Sequence, residues 1–168
     1  MNTEYTQFVA TLLKRLAKLN YIKPGEVPNI DLYMDQVTTF MDEHLSDCKR
    51  REDDKILTKT MINNYTKNNL LPPPVKKKYS KEHLLLLIYI YYYKSILSIG
   101  DIQSLLEPLT QRYFHKDGEM NMQSIYEEVF SLEKEQVEKM KQDVTEKYET
   151  ASRIFPEAEA EDQEFLRI

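Results

Sequence analysis

Polar side chains on a short segment, residues 57–68, could contact the edges of nucleic-acid bases. Met61, Ile62 and Tyr65 have helical spacing, which predicts a helix with its amides and hydroxyls on the opposite face. Asparagine can pair with adenine and threonine can touch a thymine methyl group, each good pairing contributing about 1–3 kcal/mol of discrimination. The segment therefore predicts a recognition helix, residues 58–68, in a major groove. Its expected base-contacting residues are Thr58, Lys59, Thr60, Asn63, Asn64 and Lys67.

A lysine cluster follows this segment after a predicted helix stop. Asn69 suits a left-handed C-cap, and the three prolines at 72–74 predict a rigid extended arm. Lysines beyond such an arm can return as the second limb of a short ribbon and hold phosphates, which positions a protein without reading sequence. The expected phosphate-contacting residues of this wing, residues 75–79, are Lys76, Lys77, Lys78 and Tyr79, although core packing of Tyr79 fits the sequence equally well.

The distribution of charge concentrates basic residues around these two groups. The whole chain carries a net charge of −5, but residues 49–81 hold ten Lys/Arg and three Asp/Glu, giving +7. Residues 117–168 carry −9. Because DNA repels an acidic protein as a whole, binding would have to be focused through residues 49–81. The alternatives are a solvated surface and a non-enzymatic protein-interaction module whose basic strip binds an acidic partner.

Residues for catalysis are sparse. His44, His83 and His115 fall in different segments, and His44 with Cys48 supplies only two ligands where a zinc site needs three or four. With only three glycines, widely separated, the chain offers no glycine-rich phosphate loop. We therefore expect no catalytic residues, no metal and no cofactor, and we do not expect an enzyme. A minor alternative is a ligand sensor or enzyme that uses an aromatic pocket lined by Tyr89–Tyr93.

Other features predict the compartment. A single cysteine excludes an intrachain disulfide and fits a reducing environment. The N-terminus lacks a basic segment followed by an apolar core, so no signal peptide is expected. The most apolar run, His83–Tyr93, is about half the ~20 residues required to span a bilayer. A cytoplasmic protein without membrane contact is expected.

The elements that must position these residues are mostly helices, because apolar residues recur with helical spacing along the chain. Besides the recognition helix, five helices are predicted. The first is Thr3–Leu19, and the second is capped by Asn29, has Ile30 and Tyr33 in its apolar stripe and ends near Leu45. The others are Lys81–Lys94, capped by Ser80, then a helix that is capped by Ser98 and Asp101 and ended or bent by Pro108, and finally Met122–Arg153 without interruption.

This pattern predicts four segments. Residues 1–28 form an N-terminal helix and connection, 29–110 the DNA-binding domain, 111–153 a C-terminal helical segment and 154–168 an acidic tail. The C-terminal segment has a rough heptad spacing, which fits a dimer interface and a helix packed within one chain equally well.

The motifs resemble the MerR-type winged helix-turn-helix of bacterial regulators. The closest points are Met61–Tyr65, then Asn69–Pro72, then Lys78–Tyr79, with Ser98–Leu106 similar to the capped helix that follows. Asn63 stands where MerR-type helices usually present an arginine, and a longer loop replaces their tight turn. The resemblance implies a mainly α fold with a MerR-like winged helix-turn-helix core and a short β-ribbon wing, plus N-terminal and long C-terminal helices.

Residues 30–106 more closely resemble a family from low-GC Gram-positive bacteria known only as a domain of unknown function. The motifs that carry this resemblance are NIDLYMDQV, LTKTMINNYTK, LLPPPVKKKYSKEH and SIGDIQ. The polar helix joined to the lysine wing within the +7 segment predicts a transcriptional regulator that binds double-stranded DNA as a homodimer on a two-fold site, with no effector specified.

Overall fold

The computed structural model describes residues 7, 9–11, 13, 14, 21–49, 53–151, 153 and 154. These residues are mainly helical with a two-stranded antiparallel sheet, which confirms the mainly α part of the predicted fold. Residues 7, 9–11, 13 and 14 are helical, in agreement with the predicted N-terminal helix, whose other residues lie outside the described part. The helices are α1 Met34–Leu45, α2 Lys59–Lys67, α3 Lys81–Tyr93, α4 Ile99–Tyr113, α5 Met122–Ser131 and α6 Glu133–Ala151, and the strands are β1 Leu32–Tyr33 and β2 Lys78–Tyr79.

The chain divides into two compact units. One comprises Ile22–Phe130, which we call the core unit, and the other combines Met1–Tyr21 with Ser131–Ile168. The core unit extends beyond both ends of the predicted domain 29–110. Ile22 and Met122 are buried in it, and the Tyr126 hydroxyl donates a buried hydrogen bond of 2.6 Å to the Ile22 carbonyl. A buried polar pair of this kind fastens the first and last segments of the unit together.

Helix α3 forms the centre of the core unit. Every residue from His83 to Tyr91 is buried, in accord with a helix that is apolar on all sides. Helix α4 and strand β2 pack on it, while α1 contacts α2 and both strands. Tyr89 stacks on Tyr93 and Phe130 and meets Tyr126 edge-on, so these rings pack on one another.

The sheet corrects the predicted start of α1. Leu32 pairs with Tyr79 and Tyr33 with Lys78, so the segment assigned to an Asn29-capped helix is extended before Met34. The buried side chain of Leu32 and the backbone ladder stabilise this strand, whose partner is distant in sequence. Tyr33 starts the helix, and its backbone N–H donates to the side-chain oxygen of Gln36 at 2.9 Å. Ile30 and Tyr33 are consequently exposed rather than part of the apolar stripe.

Helix α4 begins as predicted but does not end at Pro108. Ser98 Oγ accepts from the Asp101 backbone N–H at 3.2 Å, and the Asp101 carboxylate accepts from the Ser98 N–H at 3.3 Å, which is a reciprocal capping box. The helix continues through Pro108 to Tyr113. Proline removes one backbone donor and its ring crowds the carbonyl four residues earlier, but the chain directly after the helix is held to α3 by the His115 N–H, which donates to the Glu82 carboxylate at 2.8 Å.

The C-terminal helix is interrupted, which contradicts the uninterrupted helix predicted from Met122. Helix α5 ends at Ser131 and α6 begins at Glu133, where the Leu132 carbonyl accepts the first helical bond, from the Gln136 N–H, at 3.0 Å. Met122 and Tyr126 anchor α5 in the core unit, whereas none of the described α6 side chains is buried. The interruption therefore coincides with the boundary between the two compact units. Within the described residues, no helix has both the length and the apolar composition to cross a bilayer.

Candidate nucleic-acid interface

Helix α2 has one buried and one exposed face. It starts because the Thr58 hydroxyl accepts a hydrogen bond from the Met61 backbone N–H at 3.2 Å, which satisfies a donor of the first turn. Ile62 and Tyr65 are buried at 0% and 8% exposure. The exposed face, which we call the polar face of α2, carries Thr60, Asn63, Asn64 and Lys67.

The end of α2 is fixed by Asn69, as the sequence predicted. Asn69 has a φ of 57°, in the left-handed region, and its N–H donates to the Thr66 carbonyl at 3.2 Å. The Leu70 N–H donates to the Tyr65 carbonyl at 2.9 Å, which completes a Schellman motif. Because Leu70 and Leu71 are buried directly after it, the chain leaves the helix in a defined direction.

The lysine cluster forms a tight hairpin, residues 75–78. The Val75 N–H donates to the Lys78 carbonyl at 3.1 Å and the Lys78 N–H to the Val75 carbonyl at 2.9 Å. Lys76 and Lys77 have φ values of 50° and 65°, so both central positions of the turn are left-handed. Two-residue hairpins of this type favour Asn-Gly, and a lysine there costs about 1 kcal/mol of backbone strain. Both lysines are exposed at the tip.

The last two wing residues lie closer to the protein interior. The Lys78 ammonium lies 5.3 Å from the centre of the exposed Tyr33 ring, which is within cation–π range. Tyr79 is only 3% exposed, and its ring meets the His83 ring edge-on at 5.5 Å. Burial raises the pKa of the Tyr79 hydroxyl. This placement favours core packing of Tyr79 over the predicted phosphate contact.

Two of the predicted base-contacting residues already have intramolecular partners. The Thr58 hydroxyl caps α2, and the Lys59 ammonium pairs with the Asp35 carboxylate at the start of α1. Both partners of this ion pair are well exposed, so the pair contributes little to stability and can exchange for another anion. The structure thus brings Thr60, Asn63, Asn64 and Lys67 together on one face and gives Thr58 a structural role.

A residue that the sequence analysis did not single out holds the loop in front of α2. Lys94, directly after α3, donates from its ammonium to the Ile56 carbonyl at 2.5 Å and to the Lys55 carbonyl at 3.5 Å. The same ammonium lies 4.7 Å from the centre of the Tyr91 ring. The only signal in the sequence is a cation that ends an otherwise apolar helix, a position that the helix dipole also favours.

His83 lies beneath the wing and is only 1% exposed. Its Nδ1 accepts from the Ser80 N–H at 3.0 Å, while Nε2 has no hydrogen-bond partner among the described residues. Burial lowers its pKa to about 4, with the charge of His115 acting in the same direction and the Pro73 and Pro72 carbonyls opposing. The imidazole is therefore neutral near pH 7 and belongs to the core.

Comparison with known sequences assigns the chain to a family. A family described as a domain of unknown function, DUF1836, matches residues 22–129. The chain belongs to this family. The match spans α1 to α5 and so includes the polar face of α2, the hairpin and Lys94. It confirms the domain-of-unknown-function part of the predicted resemblance. No curated protein and no solved structure shows a significant match to the chain.

Proposed function

We propose that the chain is a DNA-binding transcriptional regulator in which α2 enters the major groove and the lysine hairpin binds phosphates. The observation that carries the proposal is the polar face of α2. Amides and a hydroxyl stand exposed there on a helix whose opposite face is anchored in the core unit by Ile62 and Tyr65. A rigidly held helix with adjacent Asn63 and Asn64 presents the donor–acceptor pairs that read adenine.

The hairpin supports the proposal because it carries two positively charged residues at positions where uncharged residues would make the turn more stable. Lys76 and Lys77 occupy two positions where Asn-Gly would relieve backbone strain. Strained backbone of this kind concentrates at functional sites. The two lysines lie at the tip of a short turn, where their ammonium groups can bind the phosphates that flank the groove. The buried residues Leu70 and Leu71 anchor the chain between α2 and this turn.

The order of elements supports the finer description as a MerR-like winged helix-turn-helix. Helix α1 packs against α2, and the lysine hairpin with β2 comes between α2 and α3, where β2 pairs with β1 from in front of α1. We further propose that the protein acts as a homodimer on a two-fold site. In α6, Val137 and Val144 are half-buried and Met140 is half exposed, which leaves an apolar stripe for such an interface.

A second candidate function is a protein-interaction module that binds an acidic partner. Ile30, Tyr33 and Val75 are 67%, 53% and 61% exposed on or beside the ribbon, next to its lysines. Exposed apolar side chains with neighbouring cations resemble a protein interface more than a phosphate-binding surface.

The test is a selection from random duplexes, followed by affinity measurements at two salt concentrations. The wild-type protein should return a sequence motif, and the salt dependence should count the phosphates it neutralises. The variant Lys76→Asn/Lys77→Gly removes two cations while giving the turn its preferred residues. It should fold at least as stably as the wild type and bind the duplex more weakly. The slope of the logarithm of affinity against the logarithm of salt concentration should correspond to about two fewer neutralised phosphates. The charge reversal Lys76→Glu/Lys77→Glu should abolish binding.

A matched control removes the same charge elsewhere. Lys23 and Lys116 are exposed and lie outside the hairpin and α2, so Lys23→Asn/Lys116→Asn should leave the affinity nearly unchanged. Equal affinities for the hairpin variant and the wild type, or a selection without a motif, would overturn the proposal. A protein partner recovered by pull-down and lost with the charge reversal would then support the interaction module.

A further inference from the structure

The attachment of the loop in front of α2 depends on one side chain from a distant part of the core unit. The Lys94 ammonium donates to the carbonyls of Ile56 and Lys55, which precede it by 38 and 39 residues. It also lies over the Tyr91 ring, one turn back on α3. The buried central helix is therefore connected directly to the segment that leads into α2.

This loop combines exposed and buried residues. Asp53, Asp54 and Lys55 are exposed, whereas Ile56 and Leu57 are 1% and 2% exposed. The loop lines an open pocket of about 480 Å³, to which Thr38 and Asp42 of α1 also contribute. The loop ends at Thr58, the N-cap of α2, so the position of the Ile56 carbonyl sets where the helix begins.

The chemistry of the contact makes it hard to replace. Burial lowers the pKa of the Lys94 ammonium, and the neighbouring Asp54 carboxylate opposes that shift. The ammonium group is held by carbonyl acceptors and an aromatic face, two kinds of contact that an uncharged side chain cannot supply together. Without Lys94, the Ile56 carbonyl would lose its charged donor at a place where the residue is buried.

We propose that Lys94 is a positioning residue for the polar face of α2. It fixes the loop at residues 53–57 and thereby the angle at which Thr60 and Asn63 reach a base pair, without touching DNA itself. This inference rests on the proposed function for its consequence in DNA binding. The positioning of the helix start can be measured independently of any ligand.

The experiment compares Lys94→Met, which keeps most of the aliphatic stem, with the conservative Lys94→Arg and with the exposed control Lys116→Met. Amide hydrogen exchange is followed at both ends of α2. The Met61 and Ile62 amides, which donate to Thr58, report on its start, and the Asn69 and Leu70 amides report on its end. Lys94→Met should speed exchange at the start by about tenfold and leave the end unchanged, since one hydrogen bond to a charged group is lost. Lys94→Arg and Lys116→Met should behave as the wild type.

The binding arm uses a duplex obtained by selection and a scrambled duplex of the same composition. Lys94→Met should lower the ratio of the two affinities by about tenfold while the salt slope stays constant, because no phosphate contact is removed. Lys76→Asn/Lys77→Gly should have the opposite effect, changing the salt dependence of binding more than the ratio of the affinities for the selected and the scrambled duplex.

The possible results separate the two claims. If Lys94→Met accelerates exchange equally at both ends of α2, or leaves both unchanged, the positioning role is refuted. A parallel fall in both affinities would also refute it, because that is the effect of a general loss of stability. If the wild-type protein binds no duplex selectively, the proposed function fails, and the exchange measurement alone decides whether Lys94 fixes the start of α2.

Discussion

Acidification should destabilise this protein through His83. The imidazole is 1% exposed and surrounded by the rings of Tyr79, Phe114 and His115. Its Nδ1 is occupied by the Ser80 N–H, and the Ser80 hydroxyl lies 2.8 Å from the same atom. A proton added to this ring would place an additional charge in an apolar environment, and the nearby charge of His115 would oppose it. The Pro73 and Pro72 carbonyls and the Asp31 carboxylate act in favour of the charged form.

The sign and size of the effect follow from the two pKa values of His83. An unfolded chain has a histidine pKa near 6.5, whereas burial lowers that of His83 to about 4. Between these values the unfolded state binds more protons, so the free energy of unfolding falls as the pH falls. The expected loss between about pH 7 and pH 5 is about 2 kcal/mol, and the complete loss below the folded pKa is about 3 kcal/mol.

The assay is urea denaturation of the wild type and His83→Gln, followed by far-ultraviolet circular dichroism, since the chain is mainly helical and has no tryptophan. Glutamine at this third helical position can still accept from the Ser80 N–H, as in the S-x-x-Q form of the capping box. It cannot take up a proton, so the stability difference between the two proteins should change by about 2 kcal/mol over that pH range. Titratable groups remote from His83, such as His44, are common to both proteins and cancel in the comparison.

If the free energy of unfolding falls by the same amount in the wild type and in His83→Gln between about pH 7 and pH 5, this reasoning is refuted. If the variant does not fold, the same question is answered by nuclear magnetic resonance of the wild type. An imidazole signal of His83 that titrates near its unfolded value would contradict the burial of a neutral ring, and one that titrates near pH 4 would confirm it.

Two further predictions concern the elements that surround the proposed interface. Asn69→Gly should raise the free energy of unfolding by about 0.5–1 kcal/mol in urea denaturation, because glycine adopts the left-handed φ of 57° without strain, and Asn69→Ala should lower it. An alanine variant as stable as the glycine variant would show that the conformation of Asn69 is not strained. Tyr126→Phe should lower the free energy of unfolding by about 1–3 kcal/mol, because it removes the buried 2.6 Å hydrogen bond to the Ile22 carbonyl and leaves that acceptor unsatisfied. Denaturation midpoints that coincide for Tyr126→Phe and the wild type would show that this bond does not stabilise the core unit.

Local sequence determined the elements whose signals lie within a few residues of one another. The cap at Thr58, the polar face of α2, the stop at Asn69 and the box at Ser98 each depend on hydrogen bonds between residues at most five apart. Short-range bonds of this kind form wherever the chain is helical, so residue type and spacing suffice to predict them. The same holds for α3, whose continuous apolar run requires burial whatever packs against it.

Tertiary structure decided the features that depend on partners far along the chain. Strand β1 exists because Tyr79 and Lys78 lie beside Leu32 and Tyr33, and no local signal at residues 29–33 distinguishes this strand from a helix. Helix α4 continues through Pro108, although proline is unfavourable in a helix interior, because the chain directly beyond the helix is held to α3 by the hydrogen bond from the His115 N–H to Glu82. The interruption at Leu132 lies beside the boundary between the two compact units, and residues 122–151 contain no glycine or proline that would signal it.

The candidate site shows the same division of causes. Sequence by itself determined which side chains α2 and the hairpin could offer, since helical periodicity alone places Thr60, Asn63, Asn64 and Lys67 opposite Ile62 and Tyr65. Only the tertiary structure buried Tyr79 and His83 and brought Lys94 to the Ile56 carbonyl, because burial and long-range hydrogen bonds depend on how the elements pack rather than on the spacing within each.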